Sequence, residues 1–336
     1  MLQSRALSRH HVTHGARALV AACVAMLAIG CGDLATLETN AADGSATTPT
    51  ADAAMIDGGA RPPGDGGEGG AGALDARTDA SDGGAAAGWT LFWRDEFNGA
   101  DGTPVDPQTW KEDVGNGGWS NNHERQYYTS GTDNAVVQGG SLVITAKSQG
   151  ADQYACQYGT CLYTSARLST RGHFSQKYGR FESRIKITRG KGMWPAWWML
   201  GEDIGTVGWP QCGEIDIMEN VGNELASVHG SLHGPGYSGT RDLTAAYSLP
   251  GNAALADNFH VYAVEWEENA IRFYLDDHLY ETRTPVDVPA GSRWVYDHPF
   301  FLIFNVAVGG YWPGDPDATT ALPQTMEIDY VRVYRR

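Results

Sequence analysis

Arg180-Phe181-Glu182-Ser183-Arg184-Ile185-Lys186-Ile187 sets uncharged side chains, apolar but for Ser183, on odd positions and charged ones on even positions. A period of two belongs to a β-strand, where successive side chains leave opposite faces. Phe181, Ile185 and Ile187 then share one face, and Arg180, Glu182, Arg184 and Lys186 the other. Such a charged row is either solvated surface or the lining of a polar groove. Ser141–Ala146 alternates in the same way after a Gly-Gly turn, and residues 260–265, 271–275, 300–306 and 326–334 are further strand candidates. Gly supplies turns throughout, no long stretch sustains a helical period, and no repeat of solenoid or propeller length is present. Many short strands with Gly-rich connections predict an all-β sandwich or barrel.

The next informative stretch is Gly213-Glu214-Ile215-Asp216-Ile217-Met218-Glu219-Asn220. Regular pleating puts Glu214 and Asp216 on one face and Ile215 and Ile217 on the other, which would leave Glu219 among the apolar residues. A carboxylate buried there without a partner is costly. One extra residue, a β-bulge around Met218, returns Glu219 to the side of Glu214 and Asp216. Three acids in a row repel one another, and glycoside hydrolysis gives them a use. A retaining glycosidase sets a nucleophile and a protonated acid/base roughly 5–5.5 Å apart. Flat geometry would hold the two Cα atoms roughly 13 Å apart, so the side chains must converge, which a concave sheet favours. The expectation is Glu214 as nucleophile, Glu219 as general acid/base, and Asp216 orienting the nucleophile. The negative charges of Glu214 and Asp216 would keep Glu219 protonated.

Composition divides the chain. Its 11 Trp, 15 Tyr and 9 Phe all follow Gly88, so nothing earlier builds an aromatic core. Residues 32–88 are an Ala/Gly/Asp/Thr/Pro tract with ten acidic and two basic side chains, read as a flexible acidic tether. Residues 89–336 form one domain. The formal charge of −16 disfavours nucleic acid and anionic membranes as partners. In residues 1–31, Arg5, Arg9 and Arg17 precede a short apolar stretch, as in an export signal. The stretch ends in Leu27-Ala28-Ile29-Gly30-Cys31, which resembles a bacterial lipoprotein cleavage box and implies lipidation of Cys31. A plain signal peptide is the alternative, so the expected location is the cell envelope, through an N-terminal lipid anchor, or the secreted fraction. An oxidising compartment permits one disulfide among Cys156, Cys161 and Cys212. Cys156–Cys161 is the simplest closure, and spacing leaves Cys212 open. No Cys/His pattern suggests zinc.

From about Trp93 to Tyr334 the chain resembles family 16 of the glycoside hydrolases, in its laminarinase-like branch. The matching stretches, in family order, are Phe92-Trp93-Arg94-Asp95-Glu96-Phe97, Tyr163-Thr164-Ser165-Ala166-Arg167, Tyr178-Gly179-Arg180-Phe181-Glu182, Gly192-Met193-Trp194-Pro195-Ala196-Trp197-Trp198-Met199-Leu200-Gly201, the acid-rich strand, and the closing segment from Pro323 to Tyr334. The resemblance implies a β-jelly-roll of two antiparallel sheets with a concave glycan cleft. It assigns nucleophile, assisting Asp and acid/base to Glu214, Asp216 and Glu219, in the bulged form carrying Met218 that the lichenase branch lacks. Trp194 and Trp198 would line the cleft and Trp197 the core, a division parity supports. By the same resemblance Asn122, Glu182, Arg184, His233, Trp312 and Gln324 match substrate contacts. Asn121 is the alternative to Asn122, and a surface ion pair or a structural His the plainer roles for Glu182, Arg184 and His233. A structural Ca²⁺ would sit on Glu96, the Gly140 carbonyl and Asp329, with no cofactor required for catalysis. The implied activity is retaining endo-hydrolysis of β-1,3-glucan, or of mixed-linkage glucan with β-1,3 bonds, by a monomer. The rivals are a non-catalytic glucan-binding protein, a transglycosylase, or an enzyme for another polysaccharide.

Overall fold

A computed structural model of the chain describes residues 88–116 and 122–336. The expected export signal, Cys31 and most of the tether lie outside the described residues, as does Asn121.

The alternating segments become strands of two large sheets. The larger runs His278–Arg283, Ala270–Leu275, His260–Glu267, Gly179–Lys186, Gln324–Arg335, Ser141–Ala146, Ala135–Gln138, with Thr90–Asp95 also paired to Gln324–Arg335. The smaller runs Leu243–Ser248, Ser227–His233, Glu214–Glu219, Met193–Gly201, Phe300–Val308, Arg167–Ser169, Lys111–Glu112. Every pairing within these sheets is antiparallel. Neighbours in the sheet are often remote in sequence, the topology of a jelly-roll.

The inner faces share one core. Phe181, Ile185, Val264 and Trp266 of the larger sheet join Trp197, Ile215, Ile217 and Phe304 of the smaller, all fully buried. Trp197 stacks on Phe304 with ring centroids 5.8 Å apart. Apolar burial on this scale is the main drive to fold, and it sets which face of every strand turns outward. On the larger sheet the outer face carries Arg180 and Glu182, yet both are buried. Neighbours along and across the strands cover them: Arg180 donates to Glu182 at 2.9 Å and to Glu265 at 3.3 Å, and Tyr330 donates to Glu182 at 3.0 Å. Cys156 and Cys161 form a disulfide, and Cys212 is free and buried.

Candidate active site

The outer face of the smaller sheet holds the three acids. Gly213, at φ 72°, turns the chain into the strand Glu214–Glu219, and a Cβ there would meet the Phe300 ring at 2.9 Å. Only glycine takes that conformation at little cost. Along the strand Trp198 pairs with Asp216 and Trp197 with Met218, so Ile217 has no partner opposite. On the other side Asp216 faces Ser231 and Glu219 faces His229, again one residue out of step. This is the β-bulge that the parity of the acids required. Consecutive Ile217 and Met218 both enter the core with Ile215, and Glu214, Asp216 and Glu219 emerge together on the far side.

These acids line a cavity of about 410 Å³. Trp209, on the loop before the strand, donates its indole N–H to Glu214 Oε2 at 2.7 Å. Trp194 donates to Glu219 Oε1 at 2.9 Å. His233, on the neighbouring strand, brings Nε2 to 3.0 Å from Asp216 Oδ2 and 3.9 Å from Glu214 Oε1. Burial raises all three carboxyl groups above their usual range, and mutual repulsion adds to it. For Glu214 the charge of His233 and the Trp209 N–H oppose that rise. Glu219 is pushed up by burial and by the Asp216 charge. Burial pulls the His233 imidazolium down, but contact with Asp216 and the charges of Glu214 and Glu219 outweigh it and leave it at about 10. The two carboxyls thus rise together but have unlike neighbours: His233 and the Trp209 N–H oppose the rise of Glu214, while the Asp216 charge adds to that of Glu219.

The rest of the wall is aromatic and polar. Trp194 and Trp198 line it, and Trp197 between them points into the core. Trp198 donates to Asn305 Oδ1 at 2.6 Å, and the Arg167 guanidinium lies 4.6 Å from the Trp198 ring centre. Asn122 lines the cavity beside Glu124, whose oxygens accept from Asn122 and from Gln126 at 3.1 and 2.6 Å. Burial raises the Glu124 carboxyl. Trp312, 41 % exposed, stands edge-on to Trp194 at 5.5 Å.

Among the wall residues absent from the sequence-based site, four carry polar or aromatic groups: Glu124, Arg167, Trp209 and Asn305. Two carried a usable signal. Asn305 is the one polar residue in the otherwise apolar strand Phe300–Val308, and Trp209 stands five positions before Glu214.

Three expected contacts fall elsewhere. Glu182 and Arg184 belong to the strand Gly179–Lys186 of the larger sheet, and their side of it faces away from the core, hence away from the cleft. Glu182 is bound to Arg180, and Arg184 to Asp329 at 2.8 Å. Gln324 also begins a strand of the larger sheet, and its amide accepts from the Arg189 backbone N–H and donates to the Ala321 carbonyl. The residues matched to calcium do not fit that ion here. Both Glu96 oxygens accept from Arg332, at 2.8 and 2.9 Å, Asp329 is turned onto Arg184, and Gly140 sits in the turn between Ala135–Gln138 and Ser141–Ala146. Calcium needs several free oxygens around one point.

Comparison with known proteins agrees with this architecture. The family model described as glycosyl hydrolases family 16 matches residues 122–332. A β-glucanase of Rhodothermus marinus is 45 % identical over 259 residues, covering 74 % of this chain and 85 % of the relative. The glucan endo-1,3-β-glucosidase A1 of Niallia circulans is 38 % identical over 75 % of this chain, which spans only 38 % of that longer protein. The solved catalytic domain of an endo-1,3-β-glucanase (laminarinase) from Thermotoga petrophila RKU-1 superposes with a TM-score of 0.69 at 49 % identity, covering 74 % of this chain and 98 % of that one. With its two antiparallel sheets and a family match spanning most of the chain, this protein belongs to family 16 of the glycosyl hydrolases.

Proposed function

We propose that the chain hydrolyses internal β-1,3 bonds of β-glucan, with net retention, through a covalent glycosyl–Glu214 intermediate. The observation that carries the reading is the pairing of unlike carboxyls on one bulged strand. Glu214, whose anion His233 and Trp209 support against burial, attacks the anomeric carbon. Glu219, held toward the acid by burial and by Asp216, protonates the departing oxygen and later takes a proton from water. Asp216 stands between them and positions His233 and Glu214. Trp194 and Trp198 offer flat apolar faces to sugar rings, and Asn122, Asn305 and Glu124 offer polar groups to hydroxyls. The relatives named above are glucanases, which supports β-1,3-glucan as substrate.

The test is release of reducing ends from laminarin, lichenan and agarose by wild type and Glu214→Gln, with NMR of the first anomer formed. Laminarin cleavage giving the β-anomer, lost in the variant, is the expected result. Cleavage of agarose alone overturns the substrate, first release of the α-anomer overturns retention, and accumulation of longer oligosaccharides favours transglycosylation. Tight glucan binding without release makes this a binding protein. Export and anchoring through Cys31 are a separate part of the reading, checked by the mass of the mature N-terminus. Monomeric state is checked by sedimentation.

A further inference from the structure

Glu214, Asp216 and His233 each present one donor atom within 4.8 Å of the others, and among the described residues they are the one such group of three. His233 Nε2 lies 3.0 Å from Asp216 Oδ2 and 3.9 Å from Glu214 Oε1. Ligands bound to one tetrahedral zinc ion at 2.0–2.2 Å stand roughly 3.3 Å apart, a spacing these two distances bracket. Asp216 is only 2 % exposed, and its Oδ2 is paired with His233 Nε2, so the two atoms already converge on one point. Glu214 and Asp216 line the cavity described above.

We propose that these three side chains form a binding site for a divalent transition cation of the zinc type, and that an ion seated there withdraws Glu214 from the reaction. One imidazole nitrogen, which gives up its proton to solvent as the ion binds, with two carboxylate oxygens suits Zn²⁺, Co²⁺, Ni²⁺ or Cu²⁺, whereas Ca²⁺ and Mg²⁺ call for oxygen alone. The site is inhibitory rather than resident. Resident metal histidines anchor their second ring nitrogen, and Nδ1 of His233 is buried with no partner. The ion therefore exchanges, competing with glucan for the same wall.

The test uses the full chain, stripped with a chelator, titrated with Zn²⁺ by calorimetry and with Co²⁺ by visible absorption. His233→Asn and Asp216→Asn run alongside, each checked for fold by circular dichroism. The wild type should show a binding step that both variants weaken at least about tenfold, and Co²⁺ bands that His233→Asn lacks. Identical isotherms in all three proteins overturn the site, and so does a wild-type Co²⁺ complex without intense visible bands, a result that needs no variant. Zn²⁺ should also raise the KM for laminarin at unchanged kcat. Zn²⁺ bound while hydrolysis proceeds undiminished overturns the inhibitory half, which rests on Glu214 as nucleophile. If no glucan is cleaved at all, the proposed function fails and the titrations still decide the site.

Discussion

Replacing Trp194 by Phe removes one N–H from Glu219 and keeps an aromatic ring in the wall. The indole donates to Glu219 Oε1 at 2.9 Å, and this bond favours the ionised carboxylate. A hydrogen bond to a charged group contributes about 1.5–3 kcal/mol, and one pKa unit is about 1.4 kcal/mol. The ring is only half-buried, so the lower end applies and the expected displacement is about one unit. Its sign follows from the donor: without the N–H the anion loses support, and Glu219 keeps its proton to higher pH. A general acid that must be protonated sets the alkaline limb of kcat/KM, so that limb should move up by about one unit. The acid limb, set by Glu214 with its own donors, should stay in place. Because the three acids and His233 interact, each limb is a property of the group, and the comparison is between limbs in two proteins. The assay is laminarin hydrolysis at low substrate across the pH range. An alkaline limb that stays put or moves down refutes the assignment of Glu219 as the acid.

Trp209→Phe strips the 2.7 Å donor from Glu214, so the acid limb should rise in the same assay while the alkaline limb holds; a falling acid limb counts against Glu214 as the anion. Trp197→Ala empties a fully buried site against Phe304 and should cost about 3–5 kcal/mol in urea unfolding, and a cost under 1 kcal/mol would mean the two sheets do not share this core. Arg180→Met leaves Glu182 and Glu265 without their buried partner and should destabilise by about 3–5 kcal/mol. Arg184→Ala, at a half-exposed pair, should change stability by less than about 1 kcal/mol. Neither arginine variant should alter kcat/KM at a temperature where it is folded, and a loss of activity in Arg184→Ala would return that strand to the cleft.

How far the sequence could be read depended on the kind of question. Alternation located the strands, because burial of one face leaves a period of two whatever the topology. Parity separated Trp197 from Trp194 and Trp198, and it demanded a bulge before Glu219. Parity could not correct the resemblance that put Glu182 and Arg184 among the substrate contacts. It tells which side of a strand turns from the core but not which sheet the strand joins, and a sandwich has two outer faces. Pairing partners decide that, and Gly179–Lys186 lies between strands that are about eighty and a hundred and forty residues further along the chain. Glu124, Arg167, Trp209 and Asn305 escaped for a related reason: they reach the cavity from four separate segments that only the folded sheets bring together. The arginines facing Glu96 and Asp329 were equally out of view, since a ligand pattern in sequence cannot show that a cation of the chain already occupies it.

The bulge makes the distance between the two working carboxyls a quantity governed from behind. Ile217 and Met218 are both gripped by the hydrophobic interior, next to Trp197 and its partner Phe304, and the strand can neither slip nor straighten without moving them. A volume change on that hidden side would be felt at Glu219 before any residue touching sugar is altered. Attempts to tune this catalyst, or to understand drift among its relatives, should therefore sample the layer beneath the acids as closely as the groove above them.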